Sequence, residues 1–146
     1  MITINKLAFE DLKGLKELYE DAFGGNTEYE KMVETFDKIK NDSNHTILCA
    51  KDSEKVVGSV LGVICNELIG KCTPFMVLED VAVLNSHRRK GVAKRLIMEI
   101  EDYAKSQKCN MILFVSSEHR EGAHKLYESL GYGTDKVIGY RKRLLN

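Results

Sequence analysis

The chain of 146 residues has no Trp, a single Pro and no net charge, its 22 Lys and Arg balancing 22 Asp and Glu. Each of these absences excludes something. One Pro, beside 43% hydrophobic and 30% charged residues, argues against disordered and low-complexity architectures. Charge balance removes the global field that draws a protein to nucleic acid or to an anionic membrane, so only a local basic patch is worth seeking. No stretch approaches the roughly 18 consecutive apolar residues of a membrane span. Residues 1–14 lack a basic segment followed by an apolar run, so no secretory signal is expected. Cys49, Cys65, Cys72 and Cys109 are scattered, with no CxxC pair and no His at zinc spacing. They read as reduced thiols in or near strands of a cytoplasmic protein, and neither a disulfide scaffold nor a metal is expected.

What is present fits one α/β domain over residues 1–146. Ile2 to Leu7 alternates with period two, which predicts a short strand. From Asp11, the residues Leu12, Leu15, Leu18, Tyr19, Ala22 and Phe23 recur at three and four, predicting a helix that Gly24-Gly25 ends. A more polar helix is expected over Thr27 to Lys40. Three strands of an antiparallel meander are expected at Thr46–Ala50, Val56–Cys65 and Phe75–Leu84. Gly91 to Gln107 carries Val92, Ala93, Leu96, Ile97, Ile100, Tyr103 and Ala104 on one stripe, the pattern of an amphipathic helix. Met111–Val115 reads as an interior strand, Glu121–Leu130 as a helix stopped by Gly131, and Val137–Leu145 as a final strand. Strand, helix and strand between residues 75 and 115 make a βαβ unit, so those two strands are expected to be parallel within a mixed sheet.

The chemistry concentrates in the run from Leu78 to Lys94. A strand ends there, a basic loop follows, and a helix starts at a Gly. Helix N-termini offer unpaired backbone N–H groups and the positive end of the macrodipole, an anion site in waiting. Gly91 and Ala93 leave room for close approach, and Arg88, Arg89, Lys90 and Lys94 add positive charge. The set suits a pyrophosphate. A solvated basic turn capped by Gly accounts for the same residues, and the GxxxxGK[ST] and GxGxxG phosphate motifs are absent.

Arg88-x-x-Gly91-x-Ala93 resembles the R/Q-x-x-G-x-G/A signature of the GNAT superfamily of acetyl-CoA-dependent N-acetyltransferases. Glu79-Asp80-Val81-Ala82-Val83 resembles that family's fourth strand. The run from Ala123 through Tyr127 to Gly131 and Tyr132 resembles its A-x-x-x-Y-x-x-x-G-F/Y segment. The order of elements (strand, two helices, three strands, helix, strand, helix, terminal strand) also matches, so the resemblance covers essentially the whole chain. It implies the GNAT acyl-CoA N-acyltransferase fold, with fourth and fifth strands parallel and splayed around the cofactor arm.

The resemblance also implies roles. Backbone groups of Arg88, Arg89, Lys90, Gly91, Val92, Ala93 and Lys94 would hold the pyrophosphate of acetyl-CoA, the co-substrate. Val81, Ala82 and Val83 would line the pantetheine arm, Val81 and Val83 through their main chain, like an added half-strand. Tyr127 would donate to the departing thiolate, and Glu79 would take the proton of the amine, directly or through water, or would only bind the amine or an ion-pair partner. Asp80 is expected to alternate to the other face, leaving only one of the two carboxylates in the cleft. Many relatives carry Asn where this chain has Arg120, in an R-x-x-A-H-x-x-Y variant; Arg120 would touch a CoA phosphate or an acidic substrate group. His87, His119 and His124 are weaker candidates. The Glu-Asp-Val-x-Val strand and the Arg-Ala-His-Tyr ending are also similar to glucosamine-6-phosphate N-acetyltransferases and related small members. Acceptor choice would rest with the stretch from Tyr19 to Lys40, where Glu20, Asp21, Glu28, Glu30 and Glu34 suit a cationic amine or simply make a solvated helix face.

The function expected is therefore transfer of acetyl from acetyl-CoA to a primary amine, small-molecule or protein-borne, by direct attack in a ternary complex. Dimers are frequent in this family. A fold-sharing acyl-CoA sensor without chemistry, and a nucleotide-binding module using the basic helix start, are the alternatives; release of free CoA in the presence of an amine separates them.

Overall fold

Alternation and helical periodicity resolve, in a computed structural model describing residues 1–145, into five strands and four helices. The strands are β1 (Ile2–Lys6), β2 (His45–Asp52), β3 (Lys55–Cys65), β4 (Phe75–Val83) and β5 (Ile112–Leu113). The helices are α1 (Leu12–Phe23), α2 (Tyr29–Ile39), α3 (Val92–Ser106) and α4 (Glu121–Ser129). Met1–Leu113 form one compact unit, and the chain from Phe114 onward forms a second.

In the first unit the sheet runs in the order β1-β2-β3-β4-β5. The first four strands are antiparallel neighbours and β4–β5 is parallel, as the βαβ reading expects. Both faces are covered, which is why Val56 to Val60 is buried without a break instead of alternating. α1 lies on one face, with Gly14 against Val56. α3 lies on the other, where a Cβ at Gly58 would stand 2.8 Å from Val92 Cγ1 and 3.2 Å from the Ala82 carbonyl oxygen. Only a residue without a side chain lets β3 and α3 approach that closely. Leu12 and Leu18 from α1, Val57, Val60 and Met76 from the sheet, and Leu96, Ile97 and Ile100 from α3 are fully buried. Each such side chain contributes about 1.5–3 kcal/mol through its removal from water.

One buried charge is paired. Asp11, only 6% exposed, accepts from Lys51 Nζ at 2.6 Å and from the Ala8 N–H at 2.9 Å. All four cysteines are free. Burial, and after it the charge of Asp11, pushes the Cys49 thiol up to about 12, so it stays protonated.

In the second unit, the Phe114 ring meets those of Tyr127 and Tyr132 edge-on at centroid distances of 4.5 and 4.9 Å. α4 ends with the Tyr132 N–H bonded to the Tyr127 carbonyl. Two expectations need correction. The strand expected at Met111–Val115 is only Ile112–Leu113, because the ladder to β4 stops at Val77↔Leu113. The strand expected at Val137–Leu145 does not form: residues 137–145 have no ladder partner among the described residues. Val137 is 67% and Tyr140 92% exposed there. A run of apolar residues makes a strand only when a neighbour takes up its backbone groups.

Candidate active site

The site begins with an interrupted edge. β4 pairs with β5 only at Met76↔Ile112 and Val77↔Leu113, so among the described residues Leu78 to Val83 continue without a partner strand on that side. On the other side, β4 keeps its ladder with β3 but slips register between Leu61↔Glu79 and Ser59↔Ala82. Asp80 and Val81 therefore oppose Val60 alone, a β-bulge, and Asp80 takes a left-handed conformation with φ 53°.

That extra residue re-aims the backbone. Before the bulge, the Met76 N–H points toward the β5 side and bonds the Met111 carbonyl at 3.0 Å. After it, the Leu84 N–H points the opposite way, to the Val57 carbonyl of β3 at 2.9 Å. With the phase switched, Val81 and Val83 present their N–H and C=O groups to the open edge. Arg88 Nε reaches the Val83 carbonyl at 3.4 Å. Ala82 faces inward and is buried.

The open edge runs into the start of α3 through a short 3-10 turn, Asn85–His87. The first helical bond is from the Arg95 N–H to the Gly91 carbonyl, and no side chain caps Gly91. The N–H groups of Val92, Ala93 and Lys94 thus lack intrahelical acceptors. Gly91 has φ 78° and a Cβ there would meet nothing within 4 Å, so its backbone is open to a ligand. Arg89, in the turn just before it, is also left-handed at φ 60°. Arg88, Arg89, Lys90 and Lys94 are exposed, and none is ion-paired with a carboxylate among the described residues. Val92 is the exception in the run, its side chain buried in the core.

This loop is moored from two directions that sequence reading did not find. The Asn85 N–H donates to Asp21 Oδ2 of α1 at 2.7 Å, and Asn85 Nδ2 donates to Asp21 Oδ1 at 3.2 Å. His87 Nε2 lies 3.0 Å from Asp52 Oδ2 at the end of β2, and His87 Nδ1 lies 2.8 Å from Ser86 Oγ. The His87 bond, before the charge of the N-terminus, holds the Asp52 carboxyl below its ordinary range. The partners are 64 and 35 residues apart in the chain, too distant for any local pattern to reveal.

The carboxylates sort differently from expectation. Glu79 is exposed and shares a face with Ser59, the face α1 covers. Asp80 does not simply alternate away, because the bulge breaks the period: its charge acts on the Tyr19 hydroxyl of α1. Burial, then Asp80, pushes Tyr19 up to about 12. Asp80 is exposed by area, yet enough of its carboxyl is enclosed for desolvation to raise its pKa. Several acidic residues expected to meet a cationic acceptor are already committed. Glu20 holds Lys16 at 2.7 Å and the Thr27 N–H at 2.9 Å, Asp21 holds Asn85, and Glu28 pairs with Lys31 at 3.0 Å.

In the second unit, Tyr127 is 9% exposed, and burial raises its hydroxyl above the ordinary tyrosine value against the opposing effect of Arg120. It remains a donor at neutral pH. Arg120 stands at the N-cap of α4. His124 donates from Nε2 to the Ser117 carbonyl at 2.8 Å, a structural bond within the same segment.

Comparison with known proteins identifies the family and the fold. Residues 12–132 match the model of the acetyltransferase (GNAT) family. An aminoglycoside N(6')-acetyltransferase type 1 of Salmonella enteritidis is 25% identical over 143 residues, covering 96% of each chain. Among solved structures, a glucosamine-6-phosphate N-acetyltransferase from Arabidopsis thaliana superposes with TM-score 0.86 at 23% identity, covering 99% of each chain. The aminoglycoside N-acetyltransferase AAC(6')-Iy in complex with CoA gives 0.81 at 23%, covering 98% of this chain and 95% of that one. The chain belongs to the GNAT acetyltransferase family.

Proposed function

We propose that the chain, acting in the cytoplasm with residues 1–146 as its single catalytic domain, transfers the acetyl group of acetyl-CoA to a primary amine by direct attack within a ternary complex. One observation carries this reading. The free β4 edge, with Val81 and Val83 aimed at it, leads without interruption into an uncapped, basic helix start. A long ligand with an amide-bearing arm and a pyrophosphate at its far end fits that sequence of groups.

Val81 and Val83 would bond the arm as an extra strand bonds a sheet edge. The amides of Val92, Ala93 and Lys94 would hold the pyrophosphate, with Arg88, Arg89, Lys90 and Lys94 neutralising its charge. Bound there, acetyl-CoA supplies an activated acyl group as a thioester. Glu79, solvent-accessible beside the open edge, takes the proton that the ammonium must lose before its nitrogen can attack. Tyr127, kept protonated by burial, donates its hydroxyl proton toward the departing sulfur. As the C–N bond forms and the C–S bond breaks, the nitrogen gives up a second proton, which replaces the one Tyr127 passes to sulfur; amide, free CoA and the one proton left on Glu79 balance the reaction. The full-length similarity to an aminoglycoside N(6')-acetyltransferase supports an aminoglycoside amine as the acceptor to assay first.

The test is thiol release from acetyl-CoA with the aminoglycoside neamine. Wild type is expected to release CoA in an amine-dependent manner. Tyr127→Phe is expected to lower kcat by about 10²-fold, the usual contribution of a positioned proton donor, while binding acetyl-CoA normally. Acetyl-CoA binding with no release for any amine would point to the acyl-CoA sensor instead.

A further inference from the structure

The burial of β3 changes character at Leu61. Val56 to Val60 are all buried, whereas beyond them half-buried Leu61, Val63 and Cys65 alternate with buried Gly62 and Ile64. The buried set packs on α3, where a Cβ at Gly62 would stand 3.0 Å from Ile100. The half-buried set faces the other way, onto the side that carries α1. α1 meets that face at Val56, through Gly14, and the sheet from Leu61 onward keeps some exposure. α2 does not close it either, since every residue of α2 stays at least partly exposed.

Strand register lines up an apolar row across this open half. Glu79 stands directly opposite Leu61, and Leu61 directly opposite Ile47, so the three side chains share one face. At strand spacings of about 4.8 Å, Ile47 lies roughly 10 Å from Glu79. There the row ends in a cavity beneath α2, with Leu7, Ile47, Phe36 and Ile39 as its apolar walls. The cavity measures about 40 Å3, where one water molecule needs roughly 10–15 Å3. It admits a few methylenes and no sugar ring. Two of the three basic residues at its rim are matched, Lys40 to Asp37 at 3.1 Å and His45 to Asp42 at 2.8 Å. The third, Lys6, stands opposite Leu48, the residue after Ile47, so its side chain leaves toward the α3 face. Among the described residues, no unmatched charge is left facing into the cavity.

We propose that the row from Leu61 to the cavity beneath α2 holds the apolar chain of an amine acceptor whose nitrogen stands at Glu79. Primary alkylamines with about the reach of an octyl chain are thereby substrates, a class distinct from the aminoglycosides, whose rings leave the cavity empty. The inference rests on the acetyltransferase reading above and names a further acceptor class for it. The transfer balances as before: the C–N bond forms, the C–S bond breaks, and an N-alkylacetamide, free CoA and one proton result.

The test is thiol release from acetyl-CoA with butylamine, hexylamine and octylamine, beside neamine. Each methylene that leaves water strengthens binding, so kcat/KM is expected to rise at least about ten-fold from butylamine to octylamine. Ile39→Trp, which fills the cavity, should lower kcat/KM for octylamine about ten-fold, and Phe36→Ser, which strips a wall, should flatten the chain-length dependence. In both variants the values for butylamine and the calorimetric Kd for acetyl-CoA should stay within about two-fold of wild type, whereas a purely structural role would move all of them together. Thermal melting verifies that each variant folds. Octylamine no better than butylamine overturns the inference, as does an unchanged chain-length dependence in both variants. Wild type that acetylates neamine and no alkylamine overturns it too, and leaves the acetyltransferase reading standing. Wild type that fails to bind acetyl-CoA, or binds it and acetylates no amine, overturns that reading and the inference with it.

Discussion

At the scale of single residues, the features that organise the first unit are the ones local patterns cannot express. Asp80 reads in the sequence as an ordinary strand residue, and its left-handed backbone exists only because β3 and β4 slip register around Val60. Asp11 reads as a helix start, yet it is a buried carboxylate held by Lys51 at 2.6 Å. Lys51→Met would strand that carboxylate without a countercharge and is expected to cost about 2–3 kcal/mol of stability, seen as a lower urea midpoint at unchanged slope. The Asp11 hydrogen bond raises the Lys51 pKa above its ordinary 10.5. Its stabilisation is therefore present at neutral pH and is lost as pH rises through the raised folded value. An unchanged urea midpoint in Lys51→Met would show the pair to be neutral.

At the scale of elements, the helices were legible because apolar residues at three and four spacing leave little choice of conformation. α1, α2, α3 and α4 begin and end within two residues of expectation. The meander and the parallel β4–β5 pair followed from spacing and from the handed βαβ connection. What escaped was whatever depends on a neighbour: the truncation of β5, the unformed strand at residues 137–145, and the phase switch that turns Val81 and Val83 to the open edge. The clamp between Asp21 of α1 and Asn85 belongs to the same class. It fixes the turn that carries the basic loop, so Asp21→Ala is expected to weaken acetyl-CoA binding roughly three- to ten-fold through the cost of reordering that loop. At saturating acetyl-CoA, kcat should stay within about two-fold, because Asp21 is assigned no contact with the reacting atoms. An unchanged Kd would mean the clamp serves stability alone.

For the molecule as a whole, the family was legible from three motifs in the right order, and the family match over residues 12–132 bears out that reading. The substrate was not legible in the same way. The acidic residues that looked available on α1 and at the start of α2 are in good part engaged by Lys16, Asn85 and Lys31. The central claim is that the open β4 edge and the uncapped start of α3 form one acetyl-CoA site. Calorimetric titration of acetyl-CoA into wild type and into Gly91→Trp tests it most directly, because the Gly91 backbone lies open where the pyrophosphate would rest. Saturable binding to wild type, lost in a Gly91→Trp protein that still melts cooperatively, is the predicted result. Absence of binding by folded wild type would contradict the account and leave the chain with the family's fold alone.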